Sequence, residues 1–168
     1  PTIYSSDLTL AIIAKRQDDF KNSGQLNLQA VKTNDEIKAG VFKVRFFGVS
    51  HNIPTSMGLI IETPLGLVVH TGDFKLSLDV SGDTPAEVSK IAQLAEQKVL
   101  ALMADSTNAS QSGHQLSEME IQHNIDDILR NAKSRVIIGT FASLLGRIQQ
   151  IIWAAEKINK KIVIEGYS

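Results

Sequence analysis

Cysteine is absent from the chain. That excludes a disulfide framework and thiolate metal ligands, so any metal must be held by imidazole and carboxylate. Long apolar runs are also missing. None approaches the roughly 18–20 residues needed to span a bilayer, and no signal peptide is visible. No membrane partner is expected, and the expected location is the cytoplasm. An excess of either charge is lacking as well: the formal net charge is −1, with acidic and basic residues mixed along the chain. Proteins that bind by neutralising phosphates usually carry a basic patch. Composition alone therefore gives no support for a nucleic-acid partner.

What is present suits a folded domain. The chain has 168 residues, 43% of them hydrophobic and 21% charged, enough for one good core. It opens at Pro1 without Met and closes on Lys161-Ile-Val-Ile-Glu165-Gly-Tyr-Ser168, which reads as a core strand entering a loop. The expectation is an internal piece of something larger. Strand and helix patterns alternate along it. Leu8 to Phe20 reads as a helix and Leu26 to Val31 as a short strand. Val41 to Phe46 alternates, with Phe42, Val44 and Phe46 on one face and Lys43 and Arg45 on the other. Leu59 to Glu62 and Leu67 to His70 flank Thr63-Pro64-Leu65-Gly66, a type I turn signature, so a hairpin is expected.

Two helix starts are marked by capping boxes, Thr84-Pro85-Ala86-Glu87 and Ser117-Glu118-Met119-Glu120. A last helix is expected over Ser143 to Ile158. Between helices lie short apolar runs at Val99 to Met103, Arg135 to Ile138 and Lys161 to Ile164. Such strands, apolar on both faces, predict an α/β architecture with sheets covered by helices. The first half is richer in hairpins and the second in strand–helix–strand units. The change falls near Gln111 to Leu116, the candidate domain boundary.

Candidate chemistry stands at strand ends. One strand runs out through Gly48 into Ser50-His51-Asn52-Ile53-Pro54. Another passes through His70 into Thr71-Gly72-Asp73-Phe74, and a third reaches Ala104-Asp105-Ser106-Thr107. Open α/β sheets bind ligands at such rims. Each residue also has an ordinary reading. His51 suits a turn, Asp73 suits a turn bonding its own backbone, and Asp105 suits an Asx-turn or helix cap. His70 is expected to pack within its strand, and His114 and His123 to face solvent.

The motifs together resemble a known family. Ser50-His51-Asn52-Ile53-Pro54-Thr55-Ser56-Met57-Gly58 is similar to the third metal-binding motif of ribonuclease J. Val69-His70-Thr71-Gly72-Asp73-Phe74-Lys75 is similar to the fourth, whose Asp bridges two zinc ions. Ala104-Asp105-Ser106-Thr107-Asn108-Ala109 resembles the acidic motif that opens the beta-CASP region. Thr140-Phe141-Ala142-Ser143 with Arg147-Ile148-Gln149-Gln150 resembles the following strand–helix turn. These occur in family order from about Phe42 to the end.

The resemblance implies a metallo-beta-lactamase αββα sandwich over residues 1–114, lacking its N-terminal part. It also implies the start of a beta-CASP α/β domain over 115–168. It implies a zinc-dependent ribonuclease, exo- or endonucleolytic, with two ions per full-length site and manganese or magnesium as alternatives. His51 and Asp73 are the implied metal ligands, and Asp73 and Asp105 the catalytic carboxylates. Ser50, Ser56, Ser106, Asn108 and Ser143 are candidates for substrate binding. RNA is the implied partner, with homodimers or homotetramers in full-length relatives.

Two features depart from the pattern. The His-x-His-x-Asp-His cluster that supplies most metal ligands is absent from this chain. Leu144-Leu145-Gly146-Arg147 also stands where ribonuclease J usually has Asn and His. The chain alone is accordingly expected to be inactive. Two other readings predict different things: a lactamase-fold hydrolase of a small ester or thioester, and a non-catalytic RNA-binding paralogue.

Overall fold

The computed structural model describes residues 1–17, 24–51, 53–75, 92–113 and 116–166. Strand β1 (Thr2–Ser5), helix α1 (Asp7–Gln17) and strand β2 (Asn27–Ala30) come first. Strands β3 (Glu36–Ala39), β4 (Phe42–Gly48), β5 (Met57–Thr63) and β6 (Gly66–His70) follow, then β7 (Val99–Met103). Two helices, α2 (Glu118–Asn131) and α3 (Leu145–Lys157), lie towards the end. The mixed α/β architecture read from the sequence is what forms.

β1 and β2 pair in parallel around α1, with Ile3 opposite Leu28. The other strands make one five-stranded sheet in the order β3-β4-β5-β6-β7. Its first four strands are antiparallel and joined by short turns, whereas β7 runs parallel to β6, with His70 opposite Met103. A parallel pair needs a long crossover, and the crossover here includes a helical stretch at 92–95. The expected helix start at Thr84-Pro85 lies outside the described residues, as do positions 18–20 of the first expected helix. The hairpin forms where expected, with Thr63 opposite Gly66. The Thr63 hydroxyl accepts from the N–H groups of Leu65 and Gly66 at 3.1 and 3.2 Å and donates to the Gly66 carbonyl at 2.8 Å.

The sheet buries both faces, which the alternation in β4 conceals. Phe46 is buried on one face beside its partner Leu59. Phe47 and Val49, on the face of Lys43 and Arg45, form the main core with Ile60, Val69 and Leu94. The two cations stay at the outer end of that face. Lys43 pairs with Glu36 at 2.8 Å and Arg45 with Glu62 at 3.0 Å. Gly58, opposite Phe47, has no room for a side chain: a Cβ there would lie 2.6 Å from Phe47 Cε1 and 2.9 Å from the His70 carbonyl oxygen.

The α2 start has the expected reciprocal cap. Ser117 Oγ accepts from the Glu120 N–H at 3.2 Å, and the Glu120 carboxylate accepts from the Ser117 N–H at 2.8 Å. Leu129 of α2 packs with Ala154 and Ala155 of α3 in a second small core. Two expected strands do not form. Residues 135–138 and 161–164 run without any ladder on either side of an apolar groove of about 650 Å³. Ile137 and Val163 are among the most exposed apolar residues of the chain. Apolar β-branched composition favours a pleated surface, but a strand also needs a hydrogen-bonded neighbour. Neither segment has one among the described residues.

Candidate active site

Three strand ends meet at one rim of the five-stranded sheet. β4 delivers His51, β6 delivers Asp73 and β7 delivers Asp105. His51 Nε2 lies 4.0 Å from Asp73 Oδ2. The imidazole side chain is 23% exposed and the carboxylate 79%, so Asp73 faces outward over a partly covered His51. Among the described residues the Asp73 carboxylate makes no hydrogen bond, and its nearest charged neighbour is His51.

Backbone hydrogen bonds fix the three ends against one another. The Thr71 N–H donates to the Met103 carbonyl at 3.0 Å, and the Lys75 N–H donates to the Ser50 carbonyl at 2.7 Å. Gly72 makes the turn between them. Its φ of +62° is left-handed, and a Cβ would come 3.2 Å from the Met57 carbonyl oxygen, so glycine is the residue that fits. The Gly72 N–H donates to His70 Nδ1 at 2.9 Å. His70 therefore plays the local role expected of it. His123 is exposed, 3.3 Å from Asp127, and His114 lies outside the described residues.

Asp105 is held as a carboxylate. Its pKa is lowered first by the Thr107 hydroxyl and then by the Thr107 N–H; burial opposes them, and the Phe74 N–H and His51 add smaller favourable effects. Asp105 Oδ1 accepts from those Thr107 groups at 2.6 and 2.9 Å. The Asx-turn reading thus holds for Asp105. One oxygen closes the turn while the residue stands beside the His51–Asp73 pair.

Thr71 and Thr107 were not singled out by the sequence. Thr71 is buried, donates to the Gly72 carbonyl at 2.7 Å and accepts from the Asp105 N–H at 3.1 Å. It sits inside the quoted Val69–Lys75 motif, but a threonine after a strand carries no signal of its own.

The short hydroxyl and amide residues divide. Ser56 lines a cavity of about 250 Å³ with His51 and Asp73, although its hydroxyl donates to the Ile53 carbonyl at 2.7 Å. Ser50, Ser106 and Asn108 are exposed on the rim loops. Ser143 is exposed ahead of α3 and makes no hydrogen bond to the rim among the described residues. Among those residues no group of three or more His, Cys, Asp or Glu gathers as a metal cluster.

Fold and rim together define the class: a mixed α/β sheet with ligand-type side chains at its strand ends. Within that class, the chain is homologous over its whole length to part of ribonuclease J. Ribonuclease J from Thermus thermophilus is 40% identical over 168 residues, 99% of this chain and 29% of the relative. Ribonuclease J from Sinorhizobium meliloti is 37% identical, over 99% of this chain and 29% of its own length. Ribonuclease J2 from Bacillus subtilis is 36% identical over 98% of this chain and 30% of its own length. The chain thus spans less than a third of the curated relatives it matches.

No family model matches the sequence. A solved structure of a protein of unknown function from Enterococcus faecalis shares the fold, with a TM-score of 0.65 at 20% identity. That alignment covers 89% of this chain and 38% of the other.

Proposed function

We propose that this chain is part of a metal-dependent ribonuclease that hydrolyses RNA phosphodiester bonds. The observation that carries the reading is the convergence of His51, Asp73 and Asp105 on one rim, in a chain 40% identical throughout to a ribonuclease J. His51 and Asp73 are the metal ligands, Asp73 and Asp105 the catalytic carboxylates.

The donor chemistry fits zinc, which takes imidazole nitrogen and carboxylate oxygen, and His51 and Asp73 would help to hold it. His51 and Asp73 would be only part of a two-metal set. When bound, such ions polarise the phosphodiester and make hydroxide available near neutral pH. The protein's own contribution is placement. Thr71 sets Asp105 against the β6 end, Thr107 keeps Asp105 ionised, and Gly72 lets the backbone turn so that Asp73 faces His51. Ser50, Ser56, Ser106 and Asn108 offer short hydrogen-bonding groups to phosphate, and Ser143 offers one from the helical side.

Residues 1–114 form the lactamase-like part and 115–168 open the beta-CASP part. The small-ester and scaffold readings find no specific support, since nothing on the rim favours either over a phosphodiester. With so few metal donors, the isolated chain is inactive. Among the described residues no helix is long and apolar enough to cross a membrane. The full-length protein is a homodimer or homotetramer.

Metal removal tests the reading. Chelation of the full-length protein is expected to abolish hydrolysis of a labelled RNA, and added zinc or manganese to restore it. Hydrolysis that persists in thoroughly depleted protein would rule the reading out.

A further inference from the structure

We propose that Glu118 is a positioning residue that holds the Asp73 loop through Lys75, tying the sheet rim to the α2–α3 helix pair. The inference rests on the nuclease reading and adds to it a contact that sets where Asp73 stands.

Three consecutive residues of the loop are each fixed differently. Asp73 faces His51 and has no hydrogen bond of its own among the described residues. The Phe74 N–H lies close enough to favour the Asp105 carboxylate. The Lys75 N–H donates to the Ser50 carbonyl at 2.7 Å, one residue before His51. Asp73 is therefore placed by its neighbours rather than by its own contacts.

The Lys75 side chain leaves the rim for α2. Its Nζ donates to the Leu116 carbonyl at 3.0 Å and to Glu118 Oε1 at 3.3 Å, and the side chain is only 19% exposed. The other oxygen of Glu118 accepts from Arg147 Nη2 at 3.3 Å and Gln150 Nε2 at 3.1 Å, both from α3. One carboxylate thus joins the loop after β6 to both helices. An isolated surface ion pair contributes little. This one is a network whose two cations are 19% and 22% exposed.

Gln150 shows how strongly Glu118 dictates its surroundings. Its Oε1 is buried without a partner among the described residues. Exchanging the amide ends would place an oxygen against the carboxylate, so the amide keeps its donor on Glu118 and leaves the acceptor unmet.

Releasing Lys75 frees the loop end that carries Asp73. A misplacement of about 1 Å at a reacting centre costs on the order of a hundredfold in rate. In the full-length protein, hydrolysis of a labelled single-stranded RNA is compared for wild type, Lys75→Met, Glu118→Ala, their double variant and Glu118→Gln. Lys75→Met and Glu118→Ala are each expected to lower kcat by about tenfold to a hundredfold while KM stays within about twofold. The double variant should fall no further than the worse single, because one contact is lost only once. Glu118→Gln keeps an acceptor for Lys75 and should recover part of the rate.

Lys157→Met breaks an α2–α3 pair away from the loop and should lower the melting temperature with kcat unchanged. Unchanged kcat in Lys75→Met, a loss confined to KM, or additive losses in the double variant would overturn the proposal. Should Glu118→Ala fail to fold, Lys75→Met and Glu118→Gln carry the same test. An inactive wild type would sink the nuclease reading instead. The contact is then read from melting temperatures of wild type, Lys75→Met, Glu118→Ala and their double variant, where zero coupling overturns it and clear coupling supports it.

Discussion

Gly58 shows how one residue constrains the approach to the rim. It lies in β5 opposite Phe47, and the Phe47 ring fills the space that a side chain would occupy. Gly58→Ala must push that ring or the His70 carbonyl aside, and both belong to the strands that deliver His51 and Asp73. Overpacking of this kind costs about 1–3 kcal/mol. Chemical denaturation of the full-length protein should show a loss in that range, and an unchanged midpoint would show that the ring moves freely.

The strand ends that carry His51, Asp73 and Asp105 were legible in the sequence, but their choice as site residues came from the resemblance to ribonuclease J motifs. Thr71 was not legible. Its importance lies in two hydrogen bonds, to Gly72 and from Asp105, and the second depends on β7 lying parallel to β6. Spacing does not encode a partner 34 residues away.

At the scale of elements, legibility followed local signals. The α2 cap was visible because its two hydrogen bonds join residues three apart. β3 was missed because Glu36-Ile-Lys-Ala has a single strong apolar residue. It becomes a strand by pairing with β4, Ile37 opposite Val44, with Lys43 bridging to Glu36. The segments at 135–138 and 161–164 err the other way, with strand composition but no neighbour to pair with.

The α2–α3 contact carries a pH prediction. Asp126 has a lowered pKa, first through its hydrogen bond from Lys157 and then through that from Gln122. Lys157 Nζ stands 2.9 Å from its carboxylate. A lowered folded pKa gives stability that is present above the unfolded value of about 3.9 and lost as pH falls through the folded one. Asp126→Asn should therefore lower the melting temperature at neutral pH, and the gap to wild type should close as the pH drops below about 4. A gap that persists in acid would assign the effect to packing rather than charge.

For the whole molecule, the α/β architecture was easier to read from the sequence than the electrostatics of the rim. Within the sheet, the β5–β6 hairpin was marked by its turn residues and β7 by its apolar run, whereas the place of β3 was not marked. The electrostatics of the rim depend on how three separated loops meet, which only the folded chain reveals. The central claim is that Asp73 is a metal ligand of an RNA-hydrolysing site. The most direct measurement takes full-length wild type and Asp73→Ala, and determines bound zinc and RNA degradation on the same preparations. The account predicts metal and activity in the wild type, with both lost in the variant while it remains folded. An Asp73→Ala protein that keeps its metal and degrades RNA at the wild-type rate would contradict it.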